Sequence, residues 1–568
     1  MKNFKHMRYC YTLIFLLGIQ SFAMSASKYP ATGENGMVVT SHQLATNVGI
    51  QILRNGGNAV DAAVGVGFAL AVVFPTAGNL GGGGFMVIQF SDKSATSIDY
   101  REKAPLKAFP EMYLDEHGNV IPDLSLTGYL ASGVPGSVAG LTLALEKYGT
   151  MSLKEVIAPA IRFAREGFPV SPKFVKDMER LQPVFSKFPA SASKFIKEDG
   201  NPYQSNDLFK QPKLAKTLTK IAKNGAVEFY RGSVARLIVD DMKKNNGLIS
   251  MEDLAAYEAV ERDPVTGFYK DFKIISMGPP SSGGIAIVQS LKMLEHFDLR
   301  EMGFHSSRHI HILTEVLKRA FHDRAIHIGD PDFVDIPTNK LLNDEYIREL
   351  CLQISTEKAL PSMELSDSIK PVKEGNHTTH YSVVDKNDMA VSVTTTINTG
   401  YGSKVVIKGA GFLMNNEMDD FAVKPGTPNS AGLVTYSTNA IQPGKRMLSS
   451  MSPTIITYDD KVFMTVGSMG GPAIITAVLQ IILNVIDFDM NIQEAVDAPR
   501  VHHQWLPDTL FYERFAFPAD VQIRLKEMGH SLSRYSGYSS EAHAIRILRN
   551  GTVTGAADPR FEGVASGF

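Results

Sequence analysis

Near residue 378 the chain changes character, and the change falls on a threonine. Residues 381–384 and 390–397 are β-rich runs joined by Asp385-Lys386-Asn387-Asp388, a polar turn, so they read as a hairpin. In the stretch Asn376-His377-Thr378-Thr379-His380-Tyr381, Thr378 stands at the open end of the first strand. A second hairpin follows, with strands at 454–458 and 462–466 about Asp459-Asp460. Upstream the pattern is mostly helical, at 43–54, 59–73, 138–147, 153–165, 214–224, 233–245, 285–296 and 307–328, with strands at 85–90 and 97–100 between. After the Gly470-Gly471 pair an apolar helix is expected over 474–486. Sheets and helices that each carry an apolar face must cover one another, so the chain calls for mixed α and β layers.

The position of Thr378 also has a chemical consequence. A threonine hydroxyl is a weak nucleophile until a base takes its proton. A free α-amino group on the same residue, with a pKa of about 8, can do so near neutral pH. That amine exists only if the bond between His377 and Thr378 is cut. Without such a cut, a threonine at a strand start is an ordinary ladder residue.

At 568 residues the chain can bury a large core, and neither a linker nor an internal repeat divides it after residue 30. Its 57 basic and 59 acidic side chains leave a charge of −2, which argues against nucleic acid as the main partner. Lys2, Lys5 and Arg8 precede an apolar run over 9–22 and the small residues Ser21, Ala23, Ser25 and Ala26, the pattern of a cleaved export signal covering residues 1–25. The run is short for a spanning helix, which needs about 20 apolar residues, so no membrane anchor is expected and the mature protein is periplasmic or secreted. Cys10 falls in the signal, which leaves Cys351 alone and excludes a disulfide within the mature chain. The apolar run 59–74 contains Asp61 and ends at Pro75, as a buried helix does.

Ordered blocks over nearly the whole chain resemble the gamma-glutamyltranspeptidase family. They include Gln51-Ile52-Leu53-Arg54-Asn55-Gly56-Gly57-Asn58-Ala59-Val60-Asp61-Ala62-Ala63, Asn79-Leu80-Gly81-Gly82-Gly83-Gly84-Phe85-Met86, Arg101-Glu102 and Gly133-Val134-Pro135-Gly136. Beyond Thr378 come Asn415-Asn416-Glu417-Met418-Asp419-Asp420-Phe421, Leu448-Ser449-Ser450-Met451-Ser452-Pro453-Thr454, Gly467-Ser468-Met469-Gly470-Gly471 and Ala498-Pro499-Arg500. The resemblance implies an N-terminal nucleophile hydrolase fold, an α/β (α+β) four-layer αββα sandwich with two stacked antiparallel sheets between helical layers. It further implies a precursor that cleaves itself into a large subunit, 26–377, and a small subunit, 378–568, which stay together as one interwoven heterodimer.

The same resemblance assigns the chemistry. Thr378 attacks the γ-carbonyl of glutathione or another γ-glutamyl donor, and the resulting ester passes to water or to an amino acid or dipeptide amine. Thr396 orients the nucleophile from the facing strand, where alternation puts Thr394 and Thr396 on one face and Thr395 on the other, with Asn398 sharing the face of Thr396. Gly470 and Gly471 match the oxyanion residues, whose backbone N–H groups suit a developing negative charge. A γ-glutamyl group is a zwitterion: Arg101, with Ser449 and Ser450, corresponds to the α-carboxylate ligands, and Glu417, Asp420 and Asn398 to those of the ammonium. The run Gly81 to Gly84 lacks the lysine and hydroxyl of a phosphate loop and reads as a tight turn near the site.

No cofactor and no metal are expected. His377 and His380, His502 and His503, and His309, His311, Glu315 and His322 on one helix could suggest one, with His311, Glu315 and His322 sharing a face, but the mechanism needs none. The loop Pro425-Gly426-Thr427-Pro428-Asn429-Ser430-Ala431-Gly432 resembles the family's lid, with Ala431 where an aromatic gate residue is often found. Two other readings compete. A cephalosporin or glutaryl acylase on the same scaffold has no use for ammonium ligands, and a catalytically silent exported binding protein has no use for Thr378, Thr396 and the glycine pair.

Overall fold

The protein, here a computed structural model, is described over residues 28–365 and 378–568. The expected export signal and His377 lie outside the described residues. The centre is two seven-stranded sheets, antiparallel throughout. In the first, the hairpin Thr379–Asp385 and Ala390–Thr396 lies between Gly36–Thr40 and Gly83–Gln89. In the second, Lys461–Met469 is flanked by Thr454–Tyr458 and Glu541–Ile547. Both sheets interleave strands from before and after residue 378, so neither portion of the chain owns a complete sheet.

The side-chain period of two sorts the hairpin's faces. Tyr381, Val383, Val391 and Val393 pack outward into a core with the helices Gln43–Arg54, Ala59–Val73, Ser137–Tyr148 and Leu153–Glu166. Val384 and Ala390 turn inward and share a core with Ile455, Ile456, Met464 and Val466 of the second sheet. That sheet is covered on its far side by Gly283–Leu294, Ser307–His327 and Ala473–Ile486. The layer order is therefore helix, sheet, sheet, helix, as the resemblance implies.

Local rules account for the elements that place the site. All fifteen residues of Ala59–Val73 are buried. Its one charge, Asp61, closes a capping box with Asn58 and accepts hydrogen bonds from Thr150 N, Thr150 Oγ1 and Met151 N at 2.8, 2.6 and 3.0 Å, which satisfies a carboxylate inside an apolar layer. Asp459 and Asp460, with φ of 49° and 58°, make the tight turn of the second hairpin. Among the described residues no helix is long and apolar enough to cross a membrane.

Two expectations need correction. The second strand of the first hairpin ends at Thr396, and Asn398 has a φ of 67°, so alternation does not carry Asn398 onto the face of Thr396. The run Gly81 to Gly84 is a close backbone approach rather than a turn. A Cβ on Gly82 would lie 2.1 Å from the Thr396 carbonyl oxygen, and Gly83 already belongs to the strand Gly83–Gln89.

Candidate active site

Thr378 is buried and immediately precedes the strand Thr379–Asp385. The ladder pairs Thr379 with Thr395 and His380 with Thr394, and one step further it sets Thr378 opposite Thr396. The face is fixed by His380, whose Nδ1 lies 2.9 Å from Thr394 Oγ1 in the space between the sheets. Thr395 points the other way: its hydroxyl donates to Gly83 O at 2.7 Å. Thr396 Oγ1 accepts from Asn398 N at 2.7 Å, so the left-handed turn at Asn398 bends back onto the residue that faces Thr378. Asn79 Nδ2 donates to Thr396 O at 2.9 Å and pins the strand end.

Thr378 and Thr396 open into a narrow cavity. Of the residues singled out from the sequence, Arg101, Asn398, Glu417, Asp420, Ser449, Ser450 and Gly471 line it as well. Gly470 and Gly471 link the strand Lys461–Met469 to the helix Ala473–Ile486 with φ of 133° and 56°. A Cβ on Gly470 would stand 2.6 Å from Ser539 O, so only glycine fits there.

At the charged end the residues expected to divide between the two poles of a zwitterion meet one another. Arg101 Nη1 donates to Glu417 Oε1 and its Nη2 to Asp420 Oδ2, both through short contacts. Its remaining N–H groups reach Met447 O and Leu448 O at 3.2 Å, and Glu102 Oε2 lies 3.5 Å from Nη1. Burial opposes the Arg101 charge, but the carboxylates of Glu417, Asp420 and Glu102 outweigh it and raise its pKa. Three acids, with Glu102 and Glu417 buried and Asp420 half-buried, surround one guanidinium. Burial together with repulsion from Glu102 lifts the Glu417 carboxyl well above the carboxylate range, and burial pushes Glu102 up to about 7 against the pull of Arg101. Such a cluster favours the arrival of one more cation.

Ser449 and Ser450 sit on an extended segment, with Ser449 bridged to Ser281. Ser449 O accepts from Ser282 N at 2.8 Å and from Ser282 Oγ at 2.7 Å, and Ser449 Oγ accepts from Met451 N at 3.1 Å. Sequence reasoning missed Arg324, which also lines the cavity and donates to Ser282 Oγ at 2.9 Å and Ser450 Oγ at 3.2 Å. The available signal was an arginine next to Ala325 and three residues after Phe321 on the buried side of a helix.

The loop resembling a lid lies over this end. Asn429, Ala431, Leu433 and Thr435 line the cavity, and Asp419 accepts a short hydrogen bond from Ser430 Oγ. The helical histidines group differently from the expected face. His311 and Glu315 meet His530, while the His322 ring packs edge-on against Trp505. His311 Nδ1 and His530 Nε2 lie 2.7 Å apart, and Glu315 is already held by Lys318 at 2.9 Å and Arg319 at 3.0 Å. None of these groups lines the cavity.

Comparison with known proteins agrees with this architecture. The sequence model of the gamma-glutamyltranspeptidase family matches residues 45–568, and the chain belongs to that family. It is 48% identical over 533 residues, 94% of this chain and 91% of the relative, to a glutathione hydrolase proenzyme of Escherichia coli K12. A cephalosporin acylase from Bacillus halodurans superposes with a TM-score of 0.84 at 26% identity, covering 97% of this chain and 98% of that one. A gamma-glutamyltranspeptidase chain from Helicobacter pylori, 48% identical, covers 56% of this chain and 92% of its own with a TM-score of 0.56. The fold is that of the N-terminal nucleophile hydrolases.

Proposed function

We propose that this protein is a self-processing γ-glutamyltransferase and glutathione hydrolase, exported by its leader and cut before Thr378 into subunits 26–377 and 378–568. The observation that carries the reading is the joining, in one cavity, of a strand-leading threonine to an arginine-and-carboxylate cluster. Arg101 comes from the larger portion, Thr378, Glu417 and Asp420 from the smaller, and shared sheet ladders and ion pairs join the two without a disulfide.

In the precursor, Thr378 Oγ attacks the preceding carbonyl, and water hydrolyses the ester to free the amine. In turnover, that amine takes the hydroxyl proton as Oγ attacks the γ-carbonyl of the donor. The oxyanion is met by backbone N–H groups at Gly470 and Gly471, and collapse expels the leaving amine, cysteinylglycine for glutathione, with the proton returned from the ammonium. Water or an amino acid or dipeptide amine then attacks the ester, regenerating Thr378. Thr396, opposite the nucleophile, orients its hydroxyl. The donor's ammonium joins Asn398, Glu417 and Asp420, which supplies the acidic cluster with a second cation beside Arg101, while Arg101 with Ser449 and Ser450 takes the α-carboxylate.

A glutaryl acylase is the other reading, favoured by the likeness to the cephalosporin acylase. A glutaryl group has no ammonium and brings Glu417 and Asp420 no second cation beside Arg101, so the acidic cluster argues against it. Turnover of γ-glutamyl and glutaryl anilides decides between them. We expect the γ-glutamyl compound to be cleaved with at least tenfold higher kcat/KM; preference for the glutaryl compound sinks the proposal.

A further inference from the structure

Arg101 and Arg324 are both buried and both line the cavity, yet they are used in opposite ways. Arg101 is ion-paired with Glu417 and Asp420. Among the described residues Arg324 forms no ion pair: its Nε and Nη2 donate to the hydroxyl oxygens of Ser282 and Ser450, and its Nη1 has no hydrogen-bond partner. Burial lowers its pKa to about 10, against a smaller opposing pull from Asp420, so the guanidinium keeps its charge at neutral pH. A buried positive charge without a counter-ion is costly and unusual. Its neutral partners are serines, and one of them belongs to the segment where a donor's carboxylate is expected.

The hydroxyl geometry gives this charge a task. A serine has one O–H to donate and two lone pairs to accept with. Ser450 Oγ accepts from Arg324, which turns its own proton away from the guanidinium. Ser282 Oγ likewise accepts from Arg324 and gives its proton to Ser449 O, tying the segment down. Ser449 Oγ accepts from Met451 N, which again leaves its hydrogen for another partner. Two hydroxyl donors therefore converge on the cavity with an uncancelled positive charge behind them.

We infer that Arg324 is a positioning residue of the donor site: it fixes the Ser449–Ser450 segment and aims the Ser450 hydroxyl proton at the donor's α-carboxylate. Its charge attracts that carboxylate from behind, alongside Arg101, which also balances the acids that receive the ammonium. This rests on the γ-glutamyl reading of the cavity. It differs from a purely structural role in one respect: the effect of losing Arg324 must depend on whether the substrate carries an α-carboxylate.

The test compares wild type, Arg324→Gln and Arg324→Lys on γ-glutamyl anilide and on 4-aminobutyryl anilide, which keeps the ammonium and lacks the α-carboxylate. For Arg324→Gln we expect KM on the γ-glutamyl compound to rise about tenfold, as loss of a charge-assisted contact implies, with kcat within about twofold. The kcat/KM on the 4-aminobutyryl compound stays at its wild-type value. Arg324→Lys, which keeps the charge but cannot bridge Ser282 and Ser450, falls between. An unchanged KM, or an equal loss on both substrates, overturns the inference. Should Arg324→Gln fail to mature, Arg324→Lys decides alone: a rise of about threefold confined to the γ-glutamyl compound supports the assignment, and no rise or an equal one refutes it. Wild-type preference for glutaryl anilide would instead remove the γ-glutamyl reading itself, whatever the variants do.

Discussion

The two ends of the cavity are built by different means. At the Thr378 end the groups are uncharged and sit on regular secondary structure: a ladder register places Thr378 opposite Thr396, and a strand-to-helix junction presents Gly470 and Gly471. At the other end the groups are charged and come mostly from irregular backbone. Glu417 and Asp420 lie on a short 3-10 turn, Ser449 and Ser450 on an extended loop, and Arg101 just beyond the strand Ala95–Asp99. Ladder geometry can fix a nucleophile without costly charge burial. A zwitterion can be recognised only by opposite charges, and these need an enclosing network that holds them apart from solvent.

The largest expected effect breaks the first end alone. Thr378→Ala removes the proposed nucleophile for both reactions, so the chain should run as one band on a denaturing gel with turnover at background; two bands would show that another group performs the cut. Next comes the charged end. Arg101→Lys keeps the charge and loses the planar fork, and KM for γ-glutamyl anilide should rise roughly 100-fold while chain cleavage persists. Equal loss of cleavage and binding would erase the division between the ends. Lysine is the informative choice, because alanine would leave Glu417 and Asp420 buried without their partner, at a cost of about 3–5 kcal/mol in stability.

A smaller effect is expected from Thr396→Ala, which should lower kcat roughly tenfold with little change in KM, and Thr396→Ser should restore most of it. The reverse pattern, a KM effect, would move Thr396 into the recognition end. The smallest effect is one of pH. Glu102 holds its proton up to about 7, whereas its ordinary value is 4.5. Between those values the folded protein binds a proton that the unfolded chain has released, so this group's contribution to stability falls as pH rises through that window. Glu102→Gln should flatten the slope of denaturant midpoint against pH between about 5 and 7; an unchanged slope would show that the acidic cluster keeps no proton on Glu102.

The same contrast explains what could be read from the sequence. Helices 43–54 and 59–73 and the strand 454–458 coincide with the observed bounds, because apolar period, caps and turn residues act locally. The facing of Thr378 and Thr396 follows from strand alternation. Asn398 was placed on the same face by that rule, although the strand had already ended and a left-handed residue does the work. No local rule brings Arg101 to Glu417, which is 316 residues away, or shows that the guanidinium pairs with the acids. Arg324 escaped for the same reason, its role being set by a segment of Ser449 and Ser450 that is distant in sequence. Similarly, His311 was matched to His322 by helical spacing, and the fold joined it instead to His530.

The proposed chemistry depends on Thr378 becoming a chain terminus. Intact mass and N-terminal sequencing of the purified, active protein test this directly. Two tightly associated chains are expected, the smaller beginning at Thr378. An active protein consisting of one unbroken chain, or a small chain that begins at any other residue, would contradict it.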